Sequence, residues 1–282
     1  MLNARDIEII INNPSKENLD AHYDAIRENI DYIDKSFLPI IANQINLSDK
    51  ERIITDLFSR IRLWVHSVVL MNNKLCFQGI AAATRSIFEL FIDINLIDRD
   101  STGLCIKQYM TFSEVERFRS AQLMIQYQDI HPESKIGDFA KHLYSQPDKK
   151  IEIIGLIQNI WGKALNKKGE LNYPRHWSKK DLRKRSQDLG TEYEELYLQV
   201  YPKMSWFIHS VPTGFERMND FSNINFLMLC YLIIQKTLIE STIITGRIFK
   251  ITEFDTAFIA NTEALKGTAF KIILQKHSEN NS

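Results

Sequence analysis

Glycine, proline and cysteine are all scarce in this 282-residue chain, at ten, seven and three respectively. Few glycines and prolines mean few enforced turns. Apolar residues recur at intervals of three and four and strand-like alternation is rare, so the spacing predicts an all-α protein with long helices. Cys76, Cys105 and Cys230 are far apart, form no C-x-x-C pair and sit in apolar surroundings. That excludes a disulfide framework and predicts reduced core thiols. A charge of one sign is absent too, because 35 Lys and Arg balance 35 Asp and Glu. No global field draws the chain to nucleic acid or an anionic membrane, and only a local patch could do so. Long hydrophobic runs are missing as well. The longest, Ile224 to Ile234, is broken by Asn225 and followed by Gln235-Lys236, which is too short to span a bilayer and predicts a core helix. The start of the chain has acidic residues and only a short apolar run, unlike a signal peptide. The expectation is a cytoplasmic protein with no membrane partner.

Several catalytic motifs are missing. There is no Walker A sequence, no G-x-G-x-x-G, no H-E-x-x-H, no close Cys/His cluster and no G-x-S-x-G elbow. An ATPase and a dinucleotide oxidoreductase are thereby disfavoured, and neither a metal nor a cofactor is expected.

What is present is enough apolar residue, 44%, to bury a substantial core in one large domain. The expected fold is a single-domain, all-α bundle of roughly eight to ten helices. An N-terminal helical arm, 1–47, packs on a core, 48–277, and 278–282 fray. Ser15 caps a first helix to about Asn43, bent or broken at Pro39. Ser48 and Glu51 make a capping box for a second helix, and a tight turn at 72–74 leads antiparallel into a third, about 75–98. Gly103 opens a fourth helix, and Pro132 and Pro147 start two shorter ones. The irregular stretch NKKGELNYPRHWS follows, a long connection of the functional kind. Ser178 then caps a short basic helix, Thr191 and Glu194 box the next, which contains Pro202, and a second loop, 211–223, precedes the last two helices.

Polar residues inside the greasy helices are the candidates for chemistry. Arg85 and Glu89 are four apart and share a helical face. Their apolar neighbours imply burial, which is costly for a charge without a partner. They therefore make either a clamp joining helices or an arginine that Glu89 aims at a phosphate. Asp93 extends the row by a turn. Counting outward from the 72–74 turn puts Arg62 near the level of Arg85, with His66 four residues on and Arg60 six before His66. Tyr201, Ser205 and His209 form one stripe if the helix continues past Pro202. Ser205 beside His209 has the form of a nucleophile and base, without an evident acidic partner. The strongest charge run is Arg175, His176, Lys179, Lys180, Arg183, Lys184 and Arg185, with Tyr173 and Trp177 beside it as stacking surfaces for bases.

The ordered set Arg85/Glu89, then His176-Trp177-Ser178 with Leu182-Arg183, then Tyr201/Ser205/His209 resembles an uncharacterised bacterial all-helical family, domain of unknown function number 5677, over roughly residues 60 to 250. The resemblance implies that the three segments belong to one polar cluster, and it brings no activity with it. A weaker similarity, to helical HEPN-type ribonucleases, rests on Arg60 and His66. The function expected from these residues is a cytosolic effector of the toxin or phage-defence type, acting on RNA or a nucleotide phosphate without a metal. Arg85, Glu89, Ser205 and His209 would be catalytic, and Arg62, His66, Trp177, Arg183 and Tyr201 would bind substrate. The alternative is a non-enzymatic scaffold or anion sensor. A second copy of the chain and a protein encoded nearby are the other expected partners.

Overall fold

The computed structural model describes residues 7, 10, 15–73, 76–208 and 220–265. The expected all-helical fold is what forms. Among the described residues there is no strand, only one isolated bridge between Leu165 and Leu171. In chain order the helices are α1 (Lys16–Tyr32), a π-helical turn (Ile33–Phe37), α2 (Leu38–Ala42), α3 (Asp49–Leu70), α4 (Phe77–Arg99), α5 (Leu104–Ile130), α6 (Asp138–Tyr144), α7 (Pro147–Trp161), α8 (Leu182–Leu189), α9 (Thr191–Ile208) and α10 (Asp220–Ile248). Residues 256–265 are also helical. The chain forms two compact units, one of residues 1–99 and 182–282, the other of residues 100–181.

The first unit is built on the α3–α4 hairpin. Ser48 opens α3 with the expected capping box: its Oγ accepts from Glu51 N at 3.3 Å, and its N–H donates to Glu51 Oε2 at 2.7 Å. Lys50 Nζ donates to the Asp98 carbonyl at 2.7 Å, so the start of α3 meets the end of α4 and the pair is antiparallel. Ile54, Leu57, Phe58, Ile61, Val65 and Val68 are fully buried along one face of α3. Each such side chain contributes about 1.5–3 kcal/mol by leaving water. Helix α10 packs on α4, α1 and α3, while α8 and α9 pack on α4. α10 continues well past Gln235-Lys236. From Ile224 to Ile248 it is long and apolar enough to cross a membrane, and 94% of its most apolar window is buried inside the protein.

The N-terminal arm is irregular just before Pro39, where a bend or break was expected. Ser15 caps α1 as predicted, accepting from Asn18 N at 3.0 Å. Pro39 does not break the helical path. A π turn precedes it, in which Leu38 N donates to Ile33 O, and Pro39 falls in the first turn of α2, where its missing N–H leaves no hydrogen bond unmade. Helix α1 contributes a buried polar contact: His22 Nδ1 lies 2.8 Å from Gln235 Oε1 of α10. Burial pushes the imidazole below its usual range, and the Gln235 bond only partly opposes this. A depressed folded-state value contributes stability that is complete above about pH 6.5 and lost as pH falls through it. His22→Asn should therefore flatten the fall in unfolding free energy between about pH 7.5 and pH 5. An unchanged fall in denaturant titrations would refute this role.

The second unit packs α5, α6 and α7 with the segment that follows. Its core contains Val115, Phe118, Ile153, Ile157 and Ala164. Gly103, at φ +74°, takes the left-handed conformation that opens α5, as the sequence suggested. Helix α6 begins at Asp138, several residues after Pro132, because residues 132–137 form turns. The irregular stretch after α7 is a short hairpin. Leu165 faces Leu171, Asn172 N donates to Ala164 O at 2.8 Å, and Gly169 turns at φ +77°. Asn166 Oδ1 accepts from Lys168 N and Glu170 N. Trp161 Nε1 donates to the Trp177 carbonyl at 2.8 Å, and Lys179 Nζ to the Trp161 carbonyl at 2.9 Å, so the far end of the segment is tied back to α7.

Two capping predictions fail. Ser178 accepts from Lys180 N within a turn in which Lys179 has φ +58°, and α8 starts only at Leu182. The Glu194 carboxylate accepts from Arg183 and Gln187. Residues 211–219 of the second predicted loop lie outside the described residues, as does the whole segment after 265, including the 278–282 tail, while 220–223 belong to α10.

Candidate functional site

Helices α4 and α9 build the candidate site. Arg85 Nε donates to Glu89 Oε1 at 3.0 Å across one turn of α4. The Arg85 guanidinium lies over the Tyr201 ring of α9, 4.7 Å from its centroid. Tyr201 also hydrogen-bonds Glu89, and burial, then the Glu89 charge, push its phenol up to about 12. At neutral pH Tyr201 is therefore a neutral donor to the carboxylate. Tyr197 stacks on Tyr201 at 5.2 Å, one turn back along α9. Ser205 lies one turn on, because α9 runs unbroken through Pro202 to Ile208. The Ser205 Oγ is shielded from solvent and has no hydrogen-bond partner among the described residues. A guanidinium fixed at its Nε and face, beside a neutral phenol, can bind an oxyanion.

This corner is less buried than its apolar neighbours implied. The side chains of Arg85 and Glu89 are 26% and 35% exposed. A polar stripe runs along α4 at Arg85, Ser86 and Glu89, only partly covered by its neighbours. An ion pair this exposed contributes only about 0.3–0.5 kcal/mol.

The other predicted site residues are distributed as follows. Tyr201 joins Arg85 and Glu89, as the one-cluster reading expected. Arg62 and His66 do not. Both face Asp34 of the π-helical turn, Arg62 through its Nε and His66 through its Nε2 at 2.8 Å from Asp34 Oδ2. Asp34 therefore supplies the counter-charge to Arg62. Arg183 is exposed and paired with Glu194. Trp177 belongs to the second unit. It is buried, with Tyr109 and His176 against its ring, and so offers no free face for a base. His209 lies outside the described residues.

Two buried ion pairs were not read as pairs from sequence. Asp93, one turn beyond Glu89, bonds Arg185 of α8, and these side chains are 10% and 5% exposed. The clamp predicted for Arg85 and Glu89 is this pair, and Arg185 leaves the solvated basic run to make it. Lys236 and Glu240 pair on α10, both buried, with Glu192 Oε1 of α9 3.7 Å from Lys236 Nζ. Their four-residue spacing inside an apolar helix is the signal that had marked Arg85 and Glu89. Nearby, Tyr193 donates to Asn95 Oδ1 at 3.0 Å and accepts from Arg99 Nη2 at 2.9 Å. Arg99 Nη1 also donates to the Leu189 carbonyl at 2.8 Å. These bonds tie α4, α8 and α9 together. Burial pushes the Cys230 thiol up to about 12, which makes it a core group rather than a nucleophile. Among the described residues no group of three His, Cys, Asp or Glu stands close enough to hold a metal ion.

No curated protein and no solved structure matches the chain. A family model does match, over residues 51–226, a stretch that includes Arg85, Glu89, Arg185, Tyr201 and Ser205. That stretch is more than half of the chain, and the protein belongs to the family of unknown function DUF5677.

Proposed function

We propose that the α4–α9 corner is a phosphate site and that the protein acts on RNA or a nucleotide phosphate. The observation that carries this reading is the partly exposed Arg85 guanidinium, held by Glu89 and stacked on Tyr201, one helical turn before Ser205 on α9. In the proposed reaction Arg85 offsets the charge that builds on the attacked phosphate. His209, four residues beyond Ser205 in sequence, takes the proton of a ribose 2′-hydroxyl. The 2′-oxygen then bonds to phosphorus, the bond from phosphorus to the 5′-oxygen breaks, and the proton returns through water to that leaving oxygen. Proton transfer by histidine and charge stabilisation by arginine complete this step without a metal.

A second reading has its own support. Arg85, Glu89 and Tyr201 bond one another, as they would in an anion sensor or scaffold that turns nothing over. Incubation of purified protein with total RNA and with labelled nucleotides separates the two. Turnover by wild type that His209→Ala lowers by about 100-fold or more supports catalysis. Binding without turnover supports the sensor, and turnover that His209→Ala leaves unchanged rejects the proposed base.

A further inference from the structure

The hairpin of the second unit gathers a positive surface that the sequence order hides. Residues 163–180 carry six Lys and Arg against one carboxylate, Glu170. The pairing of Leu165 with Leu171 folds Lys163, Lys167 and Lys168 back, and the Trp161–Trp177 and Lys179–Trp161 bonds hold the 175–180 end at the same place on α7. Lys163, Lys167, Lys168 and Arg175 are exposed and carry no ion pair among the described residues. The Glu170 carboxylate is engaged by Asn166 Nδ2 at 2.8 Å instead. The positive surface of this unit is therefore not the run read from sequence. Arg183 and Arg185 belong to the first unit and are neutralised by Glu194 and Asp93, while three lysines that sequence reading passed over join it.

We propose that this hairpin binds the phosphate backbone of a single RNA strand. A lone phosphate or nucleotide engages two or three cations, whereas several spread along one hairpin suit a polymer with regularly spaced charges. The aromatic side chains are withdrawn from the surface. Trp177 is buried, and Tyr173 is half-buried with the Arg119 guanidinium 5.8 Å from its ring centroid. Recognition is therefore by charge and independent of sequence. Among the large apolar side chains of the hairpin only Leu165 is exposed, which leaves little to insert into a membrane. This surface does not depend on the α4–α9 corner, and either can fail alone.

The test is fluorescence anisotropy with a labelled oligouridylate of about 20 nucleotides, over about 50–200 mM salt. The wild type is compared with the quadruple variants K163E/K167E/K168E/R175E and K163Q/K167Q/K168Q/R175Q. Wild-type affinity should fall linearly in log salt. The glutamine variant should bind at least about 10-fold more weakly and lose about three units of slope, at about 0.7 per contact for single strands. The glutamate variant should bind more weakly still. If charge reversal prevents folding, judged by circular dichroism, the glutamine variant decides. Equal affinity and slope in wild type and the glutamine variant would overturn the proposal. So would wild-type binding to phosphatidylserine vesicles with none to RNA. RNA binding that needs the hairpin, without turnover, would leave this surface standing and reject the enzymatic reading of the corner.

Discussion

Arg185→Ala is expected to lower the unfolding free energy by about 3–5 kcal/mol, the largest stability loss among the polar residues considered. Removing the guanidinium leaves the Asp93 carboxylate, 10% exposed, without its cation where water cannot replace it. The pair also joins α4 to α8 across 92 residues of sequence, so its loss loosens a tertiary contact and not a single helical turn. The double variant Asp93→Leu/Arg185→Met removes both charges and should recover most of the loss, because a buried ion pair is often no better than an apolar pair of similar size. Urea unfolding of the three proteins checks this. A loss below about 1 kcal/mol for Arg185→Ala would mean that the pair is solvated in solution.

Arg85→Ala should do the opposite, slowing turnover by about 100- to 1000-fold, as removal of one charge-stabilising donor does, at little cost in stability. The side chain is a quarter exposed and its Glu89 partner a third, and its guanidinium also lies over the Tyr201 ring. An exposed helical ion pair and a partly exposed cation–π contact together come to about 1–1.5 kcal/mol. Arg85→Lys should not restore activity. Lysine is a point charge without a planar face to lie on Tyr201 or an Nε–H for Glu89. Initial rates with labelled RNA, set beside urea midpoints, check both statements.

Most of the secondary structure was legible because it is written locally. Ser15, the Ser48–Glu51 box, Gly103 and the three-and-four spacing of α3 and α4 act within a turn or two. Pro39 marked an irregularity in the arm, but its form, a π turn before the proline, depends on the preceding residues and was not legible. Glu194 was misjudged for a related reason: its carboxylate has a choice between the local backbone and Arg183 with Gln187, and tertiary packing decides. In the candidate site, the Arg85–Glu89 pair follows from helical spacing, and the Tyr201–Ser205 stripe follows once α9 is continuous. Which charges meet across helices does not follow. Arg62 and Arg185 find Asp34 and Asp93 through the packing of separate elements, and no spacing rule gives those distances. Lys236 and Glu240 were legible by the same spacing that marked Arg85 and Glu89. The greasy run was instead taken to end at Gln235-Lys236.

The most direct measurement follows single-turnover cleavage of end-labelled single-stranded RNA by wild type and Arg85→Ala, with the unfolding free energy of both determined on the same preparations. The predicted result is cleavage by wild type, a rate at least about 100-fold lower in Arg85→Ala, and stabilities within about 1.5 kcal/mol. No cleavage by wild type, equal cleavage by both, or a loss of several kcal/mol in Arg85→Ala would contradict the phosphate-site reading. The last of these would make the corner a structural clamp.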